Sequence, residues 1–214
     1  MPSDPDLLFD GPTDASATVI LAHGAGAAMD VPFMNFFAAG LADRGHRVVR
    51  FEFPYMATKR STGKNKPPDR EPVLRATWLT VIELVRASGR RNGRLVIGGK
   101  SMGGRIASLI ADEAGVDGLI CLGYPFHPVG KPDKLRVEHL GNIKTPTLIV
   151  QGERDTFGDH NEVEGYELSS AIQVKWVQDG DHSFKPRKSS GRTEQRNWET
   201  ALDRIALFLK GNPS

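Results

Sequence analysis

The chain contains a single cysteine, Cys121, among its 214 residues. One cysteine cannot form an internal disulfide and suits a reducing compartment, so we expect a cytoplasmic protein. No apolar run approaches the roughly 18 residues that a membrane-spanning helix requires. The N-terminus also lacks a basic region followed by an apolar one, so neither a membrane span nor a signal peptide is expected.

Metal-binding patterns are missing as well. The 6 histidines are scattered, and neither a paired Cys/His spacing nor His-Glu-x-x-His occurs, so no metal or other cofactor is expected. The formal net charge is only +2, which does not indicate a polyanion-binding protein. Basic loops are present but lack interleaved aromatic residues, and no helix-turn-helix spacing occurs, which argues against nucleic-acid binding.

What the chain does contain is a regular alternation of strand-like and helix-like patterns. Strand-like runs fall near 17–22, 46–52, 94–98, 117–122, 146–151 and 171–177. Helical patterns between them predict right-handed crossovers and an α/β fold, with a mostly parallel central sheet and helices on both faces. The length suits one domain over residues 1–214, in which residues 1–16 are expected to be loosely ordered. The connection 124–142 is too short for a cap domain.

Apolar spacing defines three helices. The first is predicted to begin at a cap on Asp30 and to end at Gly45. A second carries apolar residues at positions 78, 81, 82 and 85, and the last carries them at 198, 201, 202, 205 and 209. This i, i+3, i+4, i+7 spacing indicates that each helix buries one face in the core.

The most informative motif is Gly-x-Ser-x-Gly at 99–103, which follows an apolar strand and precedes a helix. A sharp strand-to-helix turn lifts its central side chain clear of the backbone, and the glycines allow neighbouring chain to pack closely. The turn also places Ser101 at the positive end of a helix, where a developing oxyanion is favoured. Ser101 is therefore the predicted nucleophile.

A serine hydroxyl needs a base to accept its proton and an acid to orient that base. Asp155 follows the strand at 146–151 by a few residues, which is where the acid of such a site lies, so we assign it that role. Four other carboxylates are near enough in the chain to compete. These are Glu153, Asp159, Asp179 and Asp181.

His182 is the predicted base. It lies in a Gly-Asp-His turn directly after the last strand, and the chain order Ser, Asp, His is the one this architecture uses. The other histidines are the competing candidates, but none of them follows the last strand. They are His23, His46, His127, His139 and His160.

An oxyanion hole requires two backbone N–H groups that point at one atom. Met102, the residue after the serine, supplies one in this architecture, and the loop after an early strand supplies the other. That loop is His-Gly-Ala-Gly at 23–26, where Ala25 is our assignment for the second donor. His23 is expected to be structural and hydrogen-bonded to the loop.

Taken together, the segments 23–26, 99–103, 151–155 and 181–184 resemble those of α/β-hydrolases. The resemblance runs from about residue 18 to 209 and is strongest to the small, lid-less dienelactone-hydrolase-like branch. Within it, the chain is similar to bacterial hydrolases related to animal testis-expressed proteins and histone-acetyltransferase-complex subunits. A dienelactone hydrolase carries cysteine at the elbow, whereas this chain carries Ser101. The resemblance therefore implies acyl transfer to water without implying a substrate.

Two loops concentrate positive charge near the predicted site. Residues 54–70 and 185–192 are rich in lysine and arginine, and both follow strand ends. They suggest a basic rim and a small, anionic ester or thioester substrate; solvated loops that serve solubility are the alternative. A non-catalytic scaffold that binds a protein partner, and a peptidase, remain alternative functions. The oligomeric state is not indicated.

Overall fold

The computed structural model describes residues 4–88 and 93–211. Within these residues seven strands form one sheet in the order β1-β3-β2-β4-β5-β6-β7. The strands are β1 Leu7–Asp10, β2 Ala17–Ala22, β3 Arg47–Phe51, β4 Arg94–Lys100, β5 Gly118–Leu122, β6 Thr147–Gly152 and β7 Ile172–Val177. All neighbouring pairs are parallel except β1 with β3. The predicted strands and the mostly parallel sheet are confirmed.

The helices cover both faces of the sheet, as predicted. They are α1 Pro32–Ala42, α2 Pro54–Thr62, α3 Glu71–Ala87, α4 Met102–Ser108, α5 Ala111–Ala114, α6 His160–Val163 and α7 Glu194–Leu209. Apolar side chains of α1 and α7 pack on one face. Those of α2, α3 and α4 pack on the other, where Trp78 is fully buried. Among the described residues, no helix is both long and apolar enough to span a membrane.

The N-terminal segment, expected to be loosely ordered over residues 1–16, contains a strand, while residues 1–3 lie outside the part of the chain that the structure describes. Leu7–Asp10 form β1, which pairs antiparallel with β3 so that Leu7 lies opposite Phe51. The pairing is reinforced by Arg50 of β3, whose guanidinium donates to the Asp10 carboxylate at 2.9 Å. Four residues at a sheet edge give too short a periodic pattern to be recognised from sequence.

The cap predicted for the first helix is also wrong. Val31 is the residue before α1, and its side chain makes no capping hydrogen bond. Pro32 begins the helix instead, since its fixed φ suits a first turn and its missing N–H costs nothing there. The Asp30 carboxylate is held by the Arg60 guanidinium at 2.8 Å. The end of the helix near Gly45 is as predicted, with Gly45 at φ +82°.

Cys121 lies in the middle of β5, where it is buried against the α4 backbone. Burial raises the pKa of its thiol, so the reactive thiolate is suppressed. The connection from β5 to β6 contains turns and one short 3₁₀ helix, Glu138–Gly141, and forms no cap over the sheet.

Candidate active site

Four strand ends bring the predicted site residues to one edge of the sheet. Ser101 directly follows β4, the central strand of the sheet, and Asp155 follows β6. His182 follows β7, and the 23–26 loop follows β2. Because parallel strands end at the same edge, residues that are far apart in the chain converge there.

Ser101 has a backbone conformation that few L-residues adopt, with φ +51° and ψ −115°. Its N–H donates to Leu122 O at 3.0 Å, which ties the turn to β5. A Cβ on Gly103 would lie 2.5 Å from Ala22 O, so only glycine allows this close approach to β2. The strained turn predicted from sequence is therefore present.

The structure brings Ser101, His182 and Asp155 into one hydrogen-bonded chain. His182 Nε2 lies 2.9 Å from Ser101 Oγ, and His182 Nδ1 lies 2.7 Å from Asp155 Oδ2. Asp155 is fully buried, whereas His182 is partly exposed. With the carboxylate ionised, Nδ1 carries the proton and Nε2 is free to accept the serine proton. This is the geometry that a nucleophile, base and acid require.

Burial lowers the pKa of His182, and the hydrogen bond to Asp155 opposes this by raising it. The neutral imidazole, which is the form that can act as base, therefore persists below the ordinary titration range. The Phe157 ring packs against the imidazole with 4.3 Å between ring centres and an angle of 36° between the ring planes. This contact and the Asp155 hydrogen bond together fix the orientation of the ring.

The carboxyl group of Asp155 is held by two further donors that the sequence did not indicate. Gln151 Nε2 donates to Asp155 Oδ2 at 2.9 Å, and the Phe157 N–H donates to Oδ1 at 2.9 Å. Gln151 is fully buried and accepts the Tyr124 N–H through Oε1 at 2.7 Å. A polar residue at the end of an otherwise apolar buried strand was the available signal.

The competing carboxylates have other partners. Glu153 accepts from the Asp179 N–H at 2.7 Å, and Asp159 caps α6 by accepting from the Glu162 N–H at 3.0 Å. The Asp179 carboxylate accepts from Arg187 Nε at 2.7 Å. Asp181 accepts from the N–H groups of the turn that follows it. Of the five candidate carboxylates, it is that of Asp155 which contacts the His182 ring.

The competing histidines also lie elsewhere. Three of them contact nearby backbone or glutamate groups, namely His23, His127 and His160. His46 is buried near the end of α1. His139 contacts a second serine, with its Nε2 2.8 Å from Ser108 Oγ. However, the Ser108 hydroxyl donates its proton to Arg105 O at 2.6 Å, so it accepts from His139 and offers no proton to a base.

The two predicted oxyanion donors belong to segments that adjoin Ser101. Met102 is the first residue of α4, where a backbone N–H has no acceptor within the helix. Gly24 packs against the nucleophile, since a Cβ on it would lie 3.7 Å from Ser101 Cβ. Gly24 O accepts from His23 Nδ1 at 2.7 Å, and in a trans peptide this turns the Ala25 N–H to the opposite side.

His23 is buried and structural, as expected. Its Nδ1 donates to Gly24 O, and its Nε2 accepts from the Phe53 N–H at 3.1 Å. Tyr55 adds a hydrogen bond from its hydroxyl to Ala25 O at 2.9 Å. Burial lowers the pKa of His23, which keeps the ring neutral as this pattern requires. These hydrogen bonds therefore hold the 23–26 loop, which contains Ala25, against Phe53 and Tyr55.

The two basic loops differ from the sequence expectation. Residues 54–62 form α2 rather than a loop, and Arg60 donates to Glu52 and Asp30 at 2.7–2.9 Å. Arg187 of the second loop is paired with Asp179. Carboxylates thus neutralise two arginines of the expected rim, whereas Arg192 contacts the uncharged side chains of Asn197 and Gln178, and the lysines of both loops are exposed. Among the described residues, no group of three or more His, Cys, Asp or Glu side chains could hold a metal ion.

A family model described as an alpha/beta hydrolase domain matches residues 15–210, and the chain belongs to this family. Its fold is similar to that of a lid-less α/β serine hydrolase from Xanthomonas campestris, with a TM-score of 0.71 and 21% identity over 100% of this chain and 99% of that one. A serine hydrolase homologue from Coxiella burnetii gives a TM-score of 0.69 and 20% identity over 97% and 91% of the two chains.

A carboxymethylenebutenolidase from Pseudomonas putida is 30% identical over 114 residues, which are 51% of this chain and 46% of that protein. The chain thus spans about half the length of the curated relatives it matches. The resemblance to lid-less and dienelactone-hydrolase-like members of the family is confirmed.

Proposed function

We propose that the protein is a serine hydrolase that cleaves an ester or thioester of a small molecule through an acyl-enzyme on Ser101. The observation that carries the proposal is the continuous path Ser101 Oγ to His182 Nε2 and His182 Nδ1 to Asp155 Oδ2, at 2.9 and 2.7 Å. A scaffold without catalytic activity has no need for three matched groups at one open edge of the sheet, so this arrangement favours an enzyme.

In the first half-reaction Ser101 Oγ attacks the carbonyl carbon while its proton passes to His182 Nε2. The carbonyl oxygen becomes an oxyanion, which the N–H groups of Ala25 and Met102 stabilise. Asp155 stabilises the imidazolium without taking its proton. The intermediate then collapses, the carbon–oxygen or carbon–sulfur bond breaks, and His182 returns the proton to the departing alcohol or thiol.

In the second half-reaction water attacks the acyl-enzyme as His182 accepts one of its protons. A second oxyanion forms at the same position and collapses, which releases the carboxylic acid and returns the proton to Ser101 Oγ. The site has no cap that would select one end of a peptide, so we favour esters and thioesters over peptides as substrates. An anionic acyl or leaving group remains part of the proposal through the exposed lysines of the two basic loops.

The experiment is covalent labelling with a fluorophosphonate, read by intact mass. We expect one adduct on the wild type and none on the folded Ser101→Ala or His182→Ala variants. Ser108→Ala is the matched control, because Ser108 also contacts a histidine but its proton is committed to Arg105 O; this variant should label as the wild type does. A folded wild type that gives no adduct would favour the scaffold alternative.

A further inference from the structure

Lys100 lies directly before Ser101 as the last residue of β4, and its side chain runs beneath His182 rather than to solvent. Its Nζ donates to the His182 carbonyl oxygen at 2.6 Å. The ring of Phe33, from α1, covers the ammonium group with 5.7 Å between Nζ and the ring centre. The lysine thus holds the main chain of the residue whose side chain must reach both Ser101 and Asp155.

The end of β5 leaves room for this contact. Gly123 has φ +66°, and a Cβ on it would lie 2.8 Å from Lys100 Nζ and 2.7 Å from the His182 carbonyl oxygen. Any larger residue at position 123 would therefore push against both partners. Residues at the ends of three strands, β4, β5 and β7, thus meet at this one hydrogen bond.

We propose that Lys100 is a positioning residue for the base. Its hydrogen bond fixes the His182 main chain, and its own positive charge disfavours a positively charged imidazole beside it. The inference rests on the proposed hydrolase function, since the position of His182 matters only if it acts as a base. Lys100 itself does not contact the reacting atoms.

The charges around Lys100 show how the two groups are coupled. Burial lowers the pKa of Lys100 to about 7, although the carboxylates of Asp155 and Asp181 favour its charged form. In turn the Lys100 charge adds to burial in lowering the pKa of His182. Asp155 comes from the loop after β6, and Asp181 and His182 come from the loop after β7. Phe33 contributes no charge.

Lys100→Met tests the inference, because methionine keeps most of the side-chain length and removes both the donor and the charge. We expect kcat/KM at neutral pH to fall by ~10- to 100-fold as His182 loses its fixed position. We also expect the acid limb of kcat/KM against pH to move to higher pH, since removing a neighbouring cation raises the pKa of His182. Lys144→Met, at an exposed lysine that precedes β6 and so lies at the opposite edge of the sheet, should change neither quantity.

The titration of His182 can also be followed without turnover, by NMR of its ring proton in a Ser101→Ala background. Adding Lys100→Met should raise the observed pKa. If the methionine variant does not fold, Lys100→Gln keeps a neutral donor and should give the same upward shift. An unchanged acid limb and an unchanged titration, in a protein that still labels with fluorophosphonate, would overturn the inference alone. A wild type that fails to label would instead overturn the proposed function, and the positioning role with it.

Discussion

Replacing Asp155 with asparagine tests how strictly the buried carboxylate sets the protonation of the base. The carboxylate accepts three N–H donors: His182 Nδ1 and Gln151 Nε2 on Oδ2, and the Phe157 N–H on Oδ1. An asparagine amide can accept at only one of these two oxygen positions, because the other becomes an NH₂ group.

The neighbouring hydrogen-bond donors and acceptors decide which of two orientations the asparagine amide adopts. With its NH₂ toward Phe157, two donors would face each other in a fully buried place, at a cost of about 1–3 kcal/mol. With its NH₂ toward His182 and Gln151, the Gln151 amide still has Tyr124 O and Gly158 O as acceptors at 3.1 Å each. The second orientation is therefore favoured. It forces Nδ1 of His182 to accept, so Nε2 carries the proton and cannot accept one from Ser101.

We expect Asp155→Asn to lower kcat for a reactive test ester by ~10³- to 10⁴-fold, equivalent to about 4–5.5 kcal/mol of activation free energy. Asp159→Asn is the matched control, since asparagine caps a helix as well as aspartate does and α6 should persist. It should retain the wild-type rate. A folded Asp155→Asn variant within tenfold of the wild type would refute the reasoning.

Two further predictions concern the charged groups beside the site. Arg60→Ala leaves the buried Glu52 carboxylate without its main partner. We therefore expect the free energy of unfolding, measured by denaturant titration, to fall by on the order of 1–3 kcal/mol. Arg44→Ala, which removes an exposed pair with Asp203, is the control and should cost less than about 1 kcal/mol. Equal losses would show that Glu52 does not depend on Arg60. For matched neutral and anionic esters we expect a modest preference for the anion that disappears at high salt, because carboxylates neutralise Arg60 and Arg187 and the lysines of the basic loops are exposed to solvent. Equal rates at low salt would remove the anion from the proposal.

The sequence predicted the parallel part of the sheet well, because each central strand is a continuous apolar run between helical patterns. It missed β1 and placed a loop where α2 lies. Both elements depend on partners distant in the chain: β1 on the edge of β3, and the α2 residue Arg60 on Asp30 and Glu52. Periodicity within a segment carries no information about such partners.

The site shows the same division. Ser101, Asp155 and His182 could be placed from the order of strands and turns, because the chemistry requires each residue type at a particular strand end. Gln151 and Lys100 could not, since each acts through a hydrogen bond to a residue outside its own strand. Gln151 donates to Asp155, 4 positions further along in the loop after β6, and Lys100 donates to His182, 82 positions away in the loop after β7. Their roles follow only from packing.

The His23 anchor has a consequence for how the protein responds to acid. Its Nε2 must keep a lone pair to accept the Phe53 N–H, while its Nδ1 supplies the proton that holds Gly24 O. A second proton on the ring would set two donors against each other inside the core. Since burial lowers the pKa of His23, this anchor is complete above the ordinary histidine range and is lost as the pH falls through the lowered value. We therefore expect acid to break the two hydrogen bonds of His23, which loosens the loop that carries Ala25.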